Sequence, residues 1–289
     1  MRLILPLPGN EAFADRLARA GGGVVGALRT RQFPDGESYV RVETDVAGRV
    51  VDLVCTLARP DAAFLRLAFA ADALRDLGAA EVNLIAPYLG YMRQDARFKP
   101  GEAITSKTFA RLLGGVVDRL VTVDPHLHRY PALESLYAIP CKTLHAAPLL
   151  ADWIRAEVEA PLIIGPDVES EQWVAAVAAR VGAPHVVLSK QRLGDREVRI
   201  GLPDLAAHRG RRTVLIDDIA SSGRTLVAAA EALGLQGFAP PVCVVVHAVF
   251  GDDALARLQA VAQQIVSTDS IPHPTNAIWL APLIAGRRP

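Results

Sequence analysis

Thr213-Val214-Leu215-Ile216-Asp217-Asp218-Ile219-Ala220-Ser221-Ser222-Gly223-Arg224-Thr225-Leu226 is the stretch whose reading decides the fold. The apolar run Val214 to Ile216 suits a buried strand of a parallel sheet. Two adjacent carboxylates follow, then small hydroxyl residues and a glycine, then an alanine-rich segment from Leu226 that reads as a helix. A strand, a hydroxyl- and glycine-rich loop and a helix N-terminus make an anion site, because loop N–H groups and the positive end of the helix dipole face one ligand. Asp217 and Asp218 repel phosphate, so the pattern suits a ligand with a phosphate at one end and hydroxyls or a metal at the other. A sugar phosphate meets that description. The plain alternative is a strand–turn–helix connection whose Asp pair caps the helix.

The 289 residues suggest two domains and suffice for a full core. Hydrophobic residues make up 51% and charged residues 21%, the balance of a soluble globular chain. Thirty-one basic and thirty-one acidic residues cancel, so no nucleic-acid or anionic-membrane partner is implied. Cys55, Cys141 and Cys243 stand apart among apolar neighbours with no C-x-x-C, which predicts buried free thiols in a reducing compartment. The N-terminal residues lack a signal-peptide pattern, and charge interrupts every long apolar stretch. A cytoplasmic protein is expected.

Outward from the opening stretch, the same unit recurs: a short apolar strand, then polar chemistry, then a helix. Strands are expected at Leu3 to Leu5, Val24 to Leu28, Ser38 to Val42, Val50 to Cys55, Glu81 to Ala86, Arg119 to Val123, Pro161 to Ile164, Pro184 to Leu188, Val242 to Val246 and Ile278 to Leu280. Helices are expected at Glu11 to Ala20, from Pro60 to Gly78, and at Lys107 to Leu113, Ala147 to Ala156, Glu171 to Val181 and Ala254 to Ala260. Gly21 to Gly26 formally matches G-x-G-x-x-G, but the order helix-then-strand is wrong for a dinucleotide site, and the run reads as a helix stop. Strand ends at Asp124/His126, Asp167 and Asp217/Asp218 carry acid clusters, and in a parallel sheet such ends share one edge.

Asp217 to Thr225 resembles the phosphoribosyl-binding loop of the type I phosphoribosyltransferase superfamily. Pro87-Tyr88-Leu89-Gly90-Tyr91-Met92-Arg93-Gln94-Asp95, followed by Glu102-Ala103-Ile104-Thr105-Ser106-Lys107, looks like a pattern of the ribose-phosphate pyrophosphokinases within it. Phe33-Pro34-Asp35-Gly36-Glu37, Asp124-Pro125-His126 and Lys190-Gln191-Arg192 are similar to further motifs of that family. The length points to its compact, archaeal-like members.

The resemblance implies an α/β fold of two similar domains, each a mainly parallel sheet flanked by helices. An ATP-side domain is expected over residues 1–141 and a ribose 5-phosphate-side domain over 142–289, with the tail free to pack on the first. It implies Mg²⁺-dependent transfer of diphosphate from ATP to the C1 hydroxyl of ribose 5-phosphate, giving phosphoribosyl diphosphate and AMP. By position, Phe33, Asp35, Gly36, Glu37, Arg93, Gln94 and Asp95 inherit ATP contacts. Asp217, Asp218, Ser221, Ser222, Gly223, Arg224 and Thr225 inherit ribose 5-phosphate contacts. His126 and Asp167 are the metal ligands, and Lys190, Arg192 and His126 the catalytic residues. A homo-oligomer is implied, with Phe33–Glu37 reaching a neighbour's ATP site. After Asp167 the family usually carries small residues, whereas here Val168-Glu169-Ser170-Glu171 follows, and its carboxylates would repel phosphate unless they face away as first-turn helix acids. The alternatives are a phosphoribosyltransferase, which needs no ATP elements, and a catalytically silent synthetase-like subunit, which should lack Lys190, Arg192 or His126. A sugar-phosphate kinase making ADP is disfavoured because no Walker A pattern occurs.

Overall fold

A computed structural model describes residues 2–167, 170–192 and 198–285 of the chain. Glu169 and the tip of the Lys190–Arg192 segment lie outside the described residues, and Lys190 and Arg192 are placed by their backbone alone. The chain divides into two compact units, one running to Leu144 and rejoined from Leu280, the other spanning His145–Trp279.

The first unit contains β1 (Leu3–Pro6), α1 (Glu11–Gly21), β2 (Val24–Val25), β3 (Leu28–Gln32), β4 (Ser38–Val42), β5 (Val50–Val54), α2 (Pro60–Asp76), β6 (Glu81–Ala86), α3 (Thr105–Gly114), β7 (Arg119–Val123) and β8 (Cys141–Leu144). Its sheet has the order β2-β1-β5-β6-β7-β8 with parallel pairing throughout. Strands such as Glu81–Ala86, buried after the first residue, take the apolar runs that a sheet covered on both faces requires. Leu5, Leu53, Leu84 and Leu120 from the sheet pack with Leu67, Leu74 and Leu113 of α2 and α3. Expected strand Val24 to Leu28 is split: Val24–Val25 joins the sheet, and Leu28–Gln32 pairs antiparallel with β4 as a separate hairpin. Gly22 ends α1 at φ +67, a left-handed stop that a side chain resists, as the helix-stop reading of Gly21–Gly26 anticipates.

The second unit contains α4 (Ala147–Glu157), β9 (Pro161–Gly165), α5 (Glu171–Val181), β10 (His185–Val187), β11 (Ser189–Arg192), β12 (Val198–Gly201), β13 (Arg212–Ala220), α6 (Arg224–Leu235), β14 (Val242–Ala248), α7 (Ala254–Gln259), β15 (Gln264–Thr268) and β16 (Asn276–Ile278). Its parallel sheet has the order β10-β9-β13-β14-β15-β16, so the chain leaves β9 toward one side and later returns through β13 on the other. That reversal makes a topological switch point between β9 and β13, where open α/β sheets bind ligands. Leu162, Ile164, Leu215 and Val245 pack with Leu226, Leu233 and Leu258 in its core. α8 (Ala281–Ala285) closes the chain and packs on α1 in the first unit.

The acid clusters do not share one sheet edge. Asp124 and His126 follow β7 of the first sheet, whereas Asp167 follows β9 and Asp217 and Asp218 lie in the last half of β13 of the second. Repetition of one α/β unit places equivalent strand ends on two sheets.

Candidate active site

β13 is longer than its apolar run, continuing through Asp217 and Asp218 to Ala220 by pairing with β14. Each of the two carboxylates accepts from the next backbone amide, Asp218 N–H to Asp217 at 3.0 Å and Ile219 N–H to Asp218 at 2.7 Å. The loop that follows is braced from its rear. Gly251 N–H donates to the Ser221 carbonyl at 3.2 Å, and Arg257 donates to the Ser222 carbonyl at 3.2 Å. Gly223 turns the chain into α6 at φ +66, with Val227 N–H bonded to its carbonyl at 2.9 Å. α6 has no side-chain cap and, like α3, α4 and α7, no acid in its first turn. An uncapped first turn with an uncountered dipole is prepared for an external anion.

Asp167, just past the end of β9, and Asp217, within the adjacent strand β13, lie at the switch point. Asp217 is held well above the usual carboxylate range, first by burial and then by the neighbouring charges of Asp218 and Asp167. Hard oxygen donors suit Mg²⁺, which keeps several waters and takes substrate oxygens as ligands, so few protein ligands suffice. Among the described residues no group of three or more His, Cys, Asp or Glu side chains is arranged as a ready metal cage. Ser170 folds back onto the Asp167 carbonyl through its hydroxyl, 2.5 Å, and its amide, 3.2 Å, and Glu171 then opens α5 as an exposed first-turn acid. The hairpin β11–β12 pairs Lys190 with Ile200 and Arg192 with Val198.

In the first unit two polar segments leave the adjacent parallel strands β6 and β7. Gly90 is obligatory after β6, since a Cβ there would stand 2.5 Å from the Leu57 carbonyl oxygen. Tyr91 adopts φ +60 and its hydroxyl donates to Asp61. Arg93 is exposed and, among the described residues, makes no ion pair; Gln94 is half-buried. Asp95 differs from both. Its side chain is wholly buried and paired with Arg129 at 2.7 Å. Glu102 closes the segment by accepting from the amides of Phe98 and Lys99 at 2.9 and 3.0 Å. After β7, Asp124 turns at φ +36, His126 is half-buried, and exposed His128 stacks beside it with ring centroids 5.8 Å apart.

The Phe33–Glu37 turn tips the β3–β4 hairpin, closed by Phe33 N–H to the Glu37 carbonyl at 2.8 Å and Gln32 to the Gly36 carbonyl at 2.9 Å. Asp35 accepts from the Glu37 amide at 3.1 Å, and Gly36 takes φ +96. Residues 31–37 are all exposed. Arg31 lies between the Phe33 and Tyr39 rings, 4.2 and 4.5 Å from their centroids. Arg31, Tyr39, Arg129 and Arg257 escape motif reading: the first pair signals itself only through hairpin register, and the others act on residues far along the chain.

A model of the N-terminal domain of ribose phosphate pyrophosphokinase matches residues 3–116, and a phosphoribosyl transferase domain model matches residues 133–282. The chain is 36% identical over 260 residues to a ribose-phosphate pyrophosphokinase of Methanothermobacter thermautotrophicus, covering 89% of this chain and 90% of the relative. It is 35% identical to that of Methanopyrus kandleri, covering 93% and 92%. The crystal structure of a phosphoribosylpyrophosphate synthetase from Mycobacterium smegmatis superposes with a TM-score of 0.84 at 25% identity, covering 99% of this chain and 96% of that one. With its N-terminal half matched by that family's own domain model and relatives of that name aligned over about nine tenths of its length, the chain belongs to the ribose-phosphate pyrophosphokinase family.

Proposed function

We propose that this enzyme transfers diphosphate from ATP to the C1 hydroxyl of ribose 5-phosphate, giving phosphoribosyl diphosphate and AMP for nucleotide biosynthesis. The observation that carries the reading is the alignment of relatives of that name over about nine tenths of both chains, with the first half matched by this family's N-terminal domain and the second by a phosphoribosyl transferase domain. The C1 oxygen attacks the β-phosphorus, the bond from that phosphorus to the oxygen bridging the α-phosphate breaks, AMP departs, and the hydroxyl proton is released.

The second unit serves as the ribose 5-phosphate side. The amides and hydroxyls of Ser221, Ser222, Gly223, Arg224 and Thr225 hold the 5-phosphate, and Asp217 and Asp218 accept from the 2- and 3-hydroxyls. The first unit serves as the ATP side, with Arg93 and Gln94 from its own loop and Phe33, Asp35, Gly36 and Glu37 from the hairpin of a neighbouring copy in a homo-oligomer. Asp95 belongs to the same ATP segment. His126 toward the nucleotide and Asp167 toward the ribose would hold Mg²⁺, which when bound offsets charge on the phosphate oxygens. Lys190 and Arg192 neutralise charge growing on the transferred group; positioning and electrostatics of this kind carry phosphoryl transfer. No described helix is long and apolar enough to cross a membrane, and the isolated thiols agree with a cytoplasmic setting.

The test is the requirement for both substrates. AMP release by the purified protein should depend on MgATP and ribose 5-phosphate together. Release of ADP, or release of AMP without the sugar, contradicts the proposal.

A further inference from the structure

Asp95 is the anomaly of the ATP-side segment. The two residues before it, Arg93 and Gln94, are exposed and half-buried, as ligands should be, yet its carboxylate has no solvent exposure. One oxygen accepts from the guanidinium of Arg129 at 2.7 Å, and the other is buried with no hydrogen-bond donor among the described residues. A buried carboxylate is tolerated only when paired. Arg129 itself is nearly half exposed, lies 5.1 Å over the Phe98 ring, and stands three residues after His126 on the segment that leaves the neighbouring strand. The next residue repeats the tie: the Tyr130 hydroxyl reaches the Asp95 carbonyl at 3.3 Å and the Ser106 hydroxyl at 3.0 Å, while Ser106 N–H donates to the Gln94 carbonyl at 3.4 Å. The Arg129 and Tyr130 contacts cross from the segment bearing His126 to the segment bearing Arg93 and Gln94 and the helix it enters, and the Ser106–Gln94 bond ties that segment to its own helix.

We propose that Asp95 and Arg129 are positioning residues: an ion-paired strut that fixes the spacing between the Arg93–Gln94 segment and the His126 segment, with Asp95 itself making no contact to the nucleotide. The two loops leave adjacent strands, the ion pair is the charged tie among those that join them, and multidentate binding of a polyphosphate depends on their separation. The inference rests on the reading of these segments as the ATP side.

The experiment is steady-state kinetics of the full-length protein with each substrate varied in turn, on Asp95→Asn, Arg129→Met, the double variant, Arg129→Lys and, as a control of the reading itself, Arg93→Ala. Each strut variant should raise KM for MgATP roughly tenfold while KM for ribose 5-phosphate stays within about twofold. The double variant should be no worse than the poorer single one, and Arg129→Lys should recover most of the loss. Should the single variants fail to fold, Asp95→Leu/Arg129→Met removes the buried charge with its partner and is expected to fold with the same raised KM for MgATP. Additive single effects, unchanged KM for MgATP in the strut variants beside a raised value in Arg93→Ala, or a loss in Asp95→Asn that Arg129→Met does not share would each overturn the strut. An unchanged KM for MgATP in Arg93→Ala would instead sink the placement of ATP on this segment.

Discussion

The guanidinium of Arg31 lies 4.2 Å from the centroid of the Phe33 ring and 4.5 Å from that of Tyr39, the two rings standing edge-on at 6.3 Å, so that both neighbours brace the exposed aromatic at the hairpin tip. A ring held in place before its ligand arrives loses less freedom on binding. Phe33→Ala should raise KM for MgATP roughly tenfold or more, since base stacking on an aromatic contributes about 1–3 kcal/mol. Arg31→Ala should raise it only a few-fold, matching about 0.5–1 kcal/mol for an exposed cation–π contact. Both should leave the melting temperature nearly unchanged, because exposed substitutions stay within about 0.5 kcal/mol. A large loss of stability in Arg31→Ala would show that the stack holds the hairpin and not the ligand site.

Asp217 yields a pH dependence of definite sign. Its carboxyl is held well above the ordinary value, so the folded chain binds a proton where the unfolded chain has released it. Stability therefore falls as pH rises from the ordinary carboxylate value through the raised one. Asp217→Asn should melt higher than the parent at pH 7 to 8, by about 2 °C or more, with the gain fading as pH approaches about 4. Ribose 5-phosphate should stabilise the parent and not the variant. Thermal melts across pH, with and without the sugar phosphate, check both halves of the expectation.

Much of the site was legible in the sequence because its chemistry is local. Asp217 to Thr225 sits on a strand, a glycine turn and a helix start, in the order read from residue types alone. The bounds of β6, β7 and α5 agree with the apolar periods of Glu81–Ala86, Arg119–Val123 and Glu171–Val181. Failures came where a long-range pairing decides. β13 continues through two carboxylates because β14 offers it backbone partners as far as Ala248. Gln264–Thr268 is a strand with no expectation behind it: a glutamine opens it, Ser267 and Thr268 end it, and they are buried by bonding to Thr275 and the Val246 carbonyl. The Asp95–Arg129 pair spans 34 positions, and no spacing rule links them.

Gly223 takes a backbone conformation, φ +66, that other residues resist. The nearest atoms to an added Cβ are Ala254 O and Cβ at 3.5 and 3.7 Å, ordinary contacts, so the conformation and not crowding sets the penalty. Gly223→Ala should destabilise the protein by about 1–2 kcal/mol and weaken ribose 5-phosphate binding more than it weakens ATP binding. Calorimetric titration of each substrate decides it; equal losses for both would remove the loop from its assigned role.

Burial pushes the thiols of Cys55, Cys141 and Cys243 up to about 12. Thiolate is the reactive form, so at pH 8 the native protein should react with a thiol reagent at least tenfold more slowly than the unfolded chain. Cys141 is half-buried and not buried as the sequence predicts, so rapid native labelling of Cys55 or Cys243, counted by mass spectrometry, would contradict the buried, inert assignment.

The central claim is the transfer itself. The protein is incubated with MgATP and ribose 5-phosphate and followed by ³¹P NMR. Loss of ATP with matched appearance of AMP and of a diphosphate attached at the sugar C1 is the predicted result. ADP with a new monophosphate ester, or no turnover while both substrates bind, would contradict it.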